Sequence, residues 1–196
     1  MTSSRQVLTT DPAAVLVGTL GSVARPDVAL AEPVCLALVA EGATHGWAVA
    51  GLLAPDGEVG RIWGLSRPLT YRALDQLVAA GLVQRAGREP GRGRARTVLA
   101  ATARGRRQNR RWLDRPVAHL RDVRTELLVK LELRRRAGLD PTPLLDAQQV
   151  AFAPLVERLT GADAAPGDLA ALWRQESASA VVRFLARARI DAAVGP

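Results

Sequence analysis

Apolar residues recur at helical spacing along most of this chain, and the spacing breaks near the middle. Val34, Leu36, Leu38 and Val39 form a first apolar group. Glu32-Pro33 opens it, since proline is tolerated in a first helical turn, and Gly42 stops it. Thr44 is the expected cap of a second helix, His45 to Leu53, with Val49, Leu52 and Leu53 turned inward. Pro55-Asp56-Gly57 is a turn signal. Arg61-Ile62-Trp63, β-branched and aromatic, reads as a short strand. Ser66 is placed as an N-cap with Pro68 just inside, and the third helix runs to Ala80 with Gly81 as its left-handed stop.

The period then changes from helix to strand. Leu82-Val83-Gln84-Arg85 and Ala95-Arg96-Thr97-Val98-Leu99-Ala100 are expected strands. The segment between them, Gly87 to Arg94, is too rich in glycine to be anything but a loop. Three helices, a strand, an arginine-rich loop and a second strand are the order of a winged helix-turn-helix. In such a loop glycine lets the backbone lie close to a duplex, while arginine reaches phosphates or a minor groove.

From Thr102 onward the pattern is helical. Ala103 to Leu113 is a basic helix interrupted at Asp114-Arg115-Pro116. A long helix is expected next, with Val117, Leu120, Val123, Leu127 and Leu131 on one stripe, ended by Gly138 and Pro141. Pro143 to Leu159 follows, with a bend expected at Pro154. Asp168 caps the last helix, whose apolar set is Leu169, Leu172, Trp173, Val181, Phe184 and Leu185. The small run Ser177 to Ala180 invites close approach of another backbone. The reading is a mainly α chain with a small β-wing: an arm over residues 1–30, a winged helix-turn-helix over 31–103 and an all-α dimerisation domain over 104–196.

Charge sharpens the picture. The 196 residues carry 27 basic and 19 acidic side chains, a net +8. Residues 61–111 alone hold 13 arginines against Asp75 and Glu89, so the rest of the chain is slightly acidic. Basic charge gathered into one quarter of a chain is the footprint of a polyphosphate partner. Apolar residues at 48% allow a real core, and the lone Cys35 excludes an internal disulfide or a thiolate zinc site. No run of 18 apolar residues exists to span a membrane. The stretch from Ala13 to Ala24 resembles a signal peptide only loosely: Arg5 is the sole early cation, and Gly18 and Gly21 weaken the apolar run. A short helix around Ala13 to Leu20 and a cytoplasmic protein are expected instead.

On the third helix Leu74 and Leu77 define the buried side, and Pro68, Arg72 and Asp75 project opposite. Recognition helices contact base edges from their N-terminal part, so Ser66, Arg67, Tyr71, Arg72 and Gln76 are the candidate contacts. Arg72 is the candidate for a bidentate guanine contact. His45 at the head of the second helix and Arg88, Arg92, Arg94 and Arg96 on the wing are the candidate phosphate contacts.

Several runs are recognisable: Ala37-Leu38-Val39-Ala40-Glu41-Gly42 with Thr44-His45-Gly46-Trp47, then Thr70-Tyr71-Arg72-Ala73-Leu74, then Ala80-Gly81-Leu82-Val83. With Leu120-Arg121-Asp122 and Leu127-Leu128-Val129-Lys130-Leu131 they resemble the PadR family of bacterial transcriptional regulators, in its branch with a larger C-terminal domain. The resemblance implies a homodimeric repressor that reads an inverted-repeat operator in double-stranded DNA. Leu120, Val123, Leu127 and Leu131 on the stripe, with Leu172, Trp173, Phe184 and Leu185 on the last helix, follow a winged helix that already has its own core, so dimerisation is their expected role. A small aromatic effector is implied in addition, with Trp112 as the candidate contact. The chain departs from the family pattern at Trp47, where tyrosine is usual, and at Thr70, where a buried leucine is expected.

Other classes fit less well. A nonspecific coat for nucleic acid would need no patterned third helix, and a protein-interaction module would rest on the helical half alone. His45 and His119 are far apart, Gly64-Leu65-Ser66-Arg67-Pro68 lacks the second glycine of a nucleophile elbow, and the wing glycines are not a P-loop. No enzyme, cofactor or metal is expected.

Overall fold

The computed structural model describes residues 29–89, 96–161 and 165–194. The arm expected over residues 1–30, all but its last two positions, lies outside the described residues, as do Arg92 and Arg94. Helix α1 (Ala31–Glu41) is buried all round from Val34 through Val39, and α2 (Gly46–Leu52) and α3 (Arg67–Ala79) pack on it. Strands β1 (Val83–Glu89) and β2 (Arg96–Ala101) pair antiparallel, Val83 opposite Ala101 and Glu89 opposite Arg96. Helix α4 (Ala103–Asp114) follows directly. This is a winged helix-turn-helix, and the rest of the chain is helical.

Local signals explain most of these boundaries. Ser66 is the N-cap of α3 in extended conformation, and Thr70, Ala73, Leu74 and Leu77 are its buried face. Thr70 is fully buried although polar, because its hydroxyl donates to the Ser66 carbonyl at 3.1 Å. Gly81, at φ +67°, ends the helix. Thr102 caps α4 by accepting from the Gly105 amide at 3.0 Å, and its own hydroxyl donates to the Gly81 carbonyl at 2.9 Å. Gly105 is required there: a Cβ would sit 2.0 Å from the Leu82 carbonyl oxygen.

Four expectations are corrected. The cap of α2 is His45 and not Thr44. Residues 61–63 form no strand: their amides bond back to Gly57 and Val59 at 3.0 Å, and Trp63 turns into the core. Strand β1 runs through Gly87 to Glu89, because Arg88 and Glu89 still find partners in Thr97 and Arg96. The long helix expected from Val117 is not uniform. It begins as a 3-10 turn (Leu120–Asp122), passes through a π-helical turn (Val123–Leu127) and becomes α5 (Leu128–Arg136). Val117 precedes it in non-helical backbone, which the buried Gln148 amide grips from both sides: Oε1 accepts from the Val117 amide at 2.7 Å and Nε2 donates to its carbonyl at 3.0 Å.

Helices α6 (Thr142–Thr160) and α7 (Leu169–Val194) close the fold as an antiparallel pair. Asp168 caps α7 through the Ala171 amide at 2.9 Å. Two apolar cores result, and α5 separates them. Val129 and Leu133 join the first core with Trp112 and Leu113. Val123 and Leu127 join the second with Val117, Leu144, Leu145, Phe152 and Leu185.

Polar groups fix α5 in place. The buried Lys130 ammonium donates to the Arg115 carbonyl at 2.8 Å, pairs with Glu126 at 2.6 Å and lies 5.0 Å from the Trp112 ring centre. Burial pushes its pKa down, and Glu126 opposes that shift. Arg134 bonds Asp114 at 2.6 Å and the Asp140 carbonyl at 2.6 and 3.1 Å. Arg135 grips Glu132 through two bonds, at 2.8 and 3.0 Å. Arg136 bonds both oxygens of Glu41 and also Glu58, which ties α5 to α1 and to the segment after α2.

Candidate nucleic-acid interface

The exposed side of α3 is set by its buried side. With Leu74 and Leu77 in the core, Ser66, Arg67, Tyr71, Arg72 and Gln76 all lie exposed. Arg67 and Arg72 have no ion pair or hydrogen bond among the described residues. An arginine held out on a rigid helix with no protein acceptor keeps its five donors for a ligand.

Tyr71 sits at the edge of this face, half-exposed, with its ring against Gly46. A Cβ at Gly46 would lie 2.7 Å from Tyr71 Cε1, so the glycine lets α3 and the head of α2 approach. That contact brings in the wing. A cleft of about 300 Å³ is lined by Tyr71 and Asp75 from α3, His45 and Trp47 from the head of α2, and Arg85 and Arg96 from the strands. Arg85 is paired with Asp75 at 3.0 Å, which anchors β1 to α3. The Leu99 amide donates to the Thr44 carbonyl at 2.7 Å, which anchors β2 to the approach of α2.

His45 stands at the head of α2 as its N-cap, with its ring turned to the wing. Its Nδ1 is 3.2 Å from the Thr97 carbonyl oxygen and its Nε2 is 3.3 Å from Glu89 Oε2, so both ring nitrogens are engaged by the wing. The exposed place at the head of α2 belongs to Trp47, 52% exposed, which stacks on His45 and carries the Arg96 guanidinium 5.5 Å from its ring centre. Trp47, singled out in the sequence only as a departure from the family's usual tyrosine, is not among the contacts expected there. Its neighbour His45, committed to the wing, is what leaves Trp47 outside. Of the wing arginines, Arg88 and Arg96 are described, and both are exposed.

The residues expected at a dimer interface divide. Val123, Leu127 and Leu185 are buried by the chain's own helices, with Leu120, Leu131 and Phe184 packed against them. Their stripe therefore finds its cover within one copy, contrary to expectation. Leu172 and Trp173 are exposed on α7, Trp173 by 73%. Trp112 is nearly buried in the first core, and its remaining edge borders two clefts of about 480 and 540 Å³.

Among the described residues no group of three or more His, Cys, Asp and Glu side chains is placed to hold a metal ion. The Cys35 thiol is pushed up to about 12, chiefly by burial, so it is not a thiolate nucleophile at neutral pH. No single helix among the described residues is long and apolar enough to cross a membrane.

No protein-family model matches the sequence, and no curated protein is similar to it at a significant level. Among solved structures the chain is similar to Bacillus subtilis PadR in complex with operator DNA, at 17% identity and a TM-score of 0.42, over 81% of this chain and 97% of that one. At that identity and score, the interface stands on the side chains of this chain alone.

Proposed function

We propose that the chain is a sequence-specific, DNA-binding transcriptional regulator of the PadR type, a homodimeric repressor of bacterial, cytoplasmic setting that occupies an inverted-repeat operator. One observation carries this reading: Arg67 and Arg72 stand unpartnered on the exposed face of α3, beside a wing that presents Arg88 and Arg96. A helix with such a face fits a major groove, and a basic hairpin beside it fits the adjoining backbone. Two copies related by a two-fold axis would present two such helices to successive half-sites.

The exposed Leu172 and Trp173 on α7 support self-association there. In that reading a full-length Leu172→Glu/Trp173→Glu variant runs as a monomer in light scattering and loses most of its operator affinity. An unchanged dimer would move the interface elsewhere. The clefts beside Trp112 support the effector proposal. Asn109, whose Oδ1 is buried without a hydrogen-bond partner, is among the residues that line one of them.

Selection of bound fragments from the parent genome tests the central claim. The expected outcome is one inverted-repeat motif bound at least about 10³-fold more tightly than scrambled duplex. Uniform binding of all fragments would instead favour a nonspecific nucleic-acid coat.

A further inference from the structure

Helix α4 carries an arrangement that works against its own stability. Its inner side is Gly105, Asn109, Trp112 and Leu113, and the whole remaining arc presents Arg104, Arg106, Arg107, Arg110 and Arg111 to solvent. Arg106 and Arg110, and Arg107 and Arg111, are like charges four residues apart, which repel on a helix surface. Arg104 lies in the first turn, beside the positive end of the helix dipole. The arc's single carboxylate, Asp114, is taken by Arg134 at 2.6 Å. Arg107 and Arg110 have no ion pair or hydrogen bond among the described residues. A run that breaks local electrostatic rules without an internal counter-charge marks a functional surface.

The position of α4 says which surface. The helix starts where β2 ends, at the opposite end of the strand from Arg96, and Arg104 reaches the Ala80 carbonyl at the C-terminal end of α3 at 3.5 Å. The 13 residues of α3 place that end roughly 18 Å from Arg67. Base contacts come from the N-terminal part of such a helix, so the α4 arc starts at the end of α3 remote from them.

We propose that α4 is a second polyanion surface, which takes the phosphodiester backbone of duplex DNA outside the segment contacted by α3 and the wing. This rests on the DNA-binding reading above. The test uses the full-length chain, its Arg107→Gln/Arg110→Gln variant and two mixed-sequence duplexes. One, of about 20 bp, spans two half-sites a helical turn apart; the other, of about 45 bp, adds flanks. On the long duplex the variant is expected to bind at least about tenfold more weakly, with a plot of log affinity against log salt shallower by roughly three to four units because each of two copies loses two cations, while the short duplex shows no change. Its unfolding temperature stays equal or rises, since two repelling charges are gone. Equal loss on both duplexes, no loss on either, or a lower unfolding temperature overturns the proposal. Failure of the unmodified chain to bind either duplex overturns the DNA-binding reading itself.

Discussion

Two arginine-rich stretches of this molecule, Arg134 to Arg136 on α5 and Arg104 to Arg111 on α4, look alike in sequence and are opposite in structure. Every arginine on α5 has a carboxylate, and Arg134 adds a carbonyl as a further acceptor. On α4, Arg104 and Arg106 bond only carbonyls, while the Arg107 and Arg110 side chains make no hydrogen bond or ion pair among the described residues. Arg67 and Arg72 on α3 belong with the second kind. The first kind joins parts of the fold. The second kind is available to something outside it. Net charge does not distinguish them; the presence of a counter-charge within reach does.

The contrast breaks most visibly at Arg136, which is mostly buried between Glu41 and Glu58. Removing one partner of a buried pair leaves the others uncompensated, a loss of roughly 3 kcal/mol. Urea denaturation of Arg136→Ala is expected to show a loss of that size, with duplex affinity of the folded fraction unchanged. A loss below about 1 kcal/mol would put the network in the class of exposed pairs that contribute little.

Arg72→Ala is the complement. It is expected to cost about 1–3 kcal/mol on the selected operator, with a much smaller loss on scrambled duplex. Folding stability should stay within about 0.5 kcal/mol, as for other exposed sites. Equal losses on both duplexes would make Arg72 a phosphate contact and leave base reading to other residues.

The smallest effect concerns acid. The Arg135 guanidinium holds the Glu132 carboxyl below its ordinary value of 4.5, against a weaker upward push from burial. A carboxylate with a depressed folded pKa stabilises above its unfolded pKa and stops doing so as pH falls through the folded value. Glu132→Gln should therefore lower the melting temperature at pH 7, and the gap from the parent should close below about 4.5. A gap that persists at pH 2 would mean that packing, and not charge, is what Glu132 supplies.

These regions also differ in how readable they were. The exposed and buried sides of α3 follow from Leu74 and Leu77, and its ends from Ser66 and Gly81, because periodicity and punctuation are local. The 3-10 and π turns between Leu120 and Leu127 left no such trace. The apolar stripe reads the same in any helix, and the Gln148 amide that holds Val117 out of it comes from 31 residues away. Apolar spacing likewise says that Val123 and Leu127 on the stripe and Leu185 on the last helix need cover, but not whose. His45 was expected to face a phosphate because the strand position of its acceptors, Thr97 and Glu89, is not encoded near it. Trp47 was missed for the same reason.

Lys130, the sole lysine of the 196 residues, is fully enclosed beside Trp112 and Glu126. Every cation on the candidate interface is consequently a guanidinium, which stays charged at any physiological pH. Acetylation, the common way of silencing a basic surface, has no exposed side chain to act on here. Reagents that seek amines will find the only lysine shut inside the protein, so amine labelling of that residue reports opening of the fold and not occupancy of the basic face. Release of this surface from a polyanion by loss of lysine charge is therefore closed to the protein, and salt or competing anions act on guanidinium groups alone.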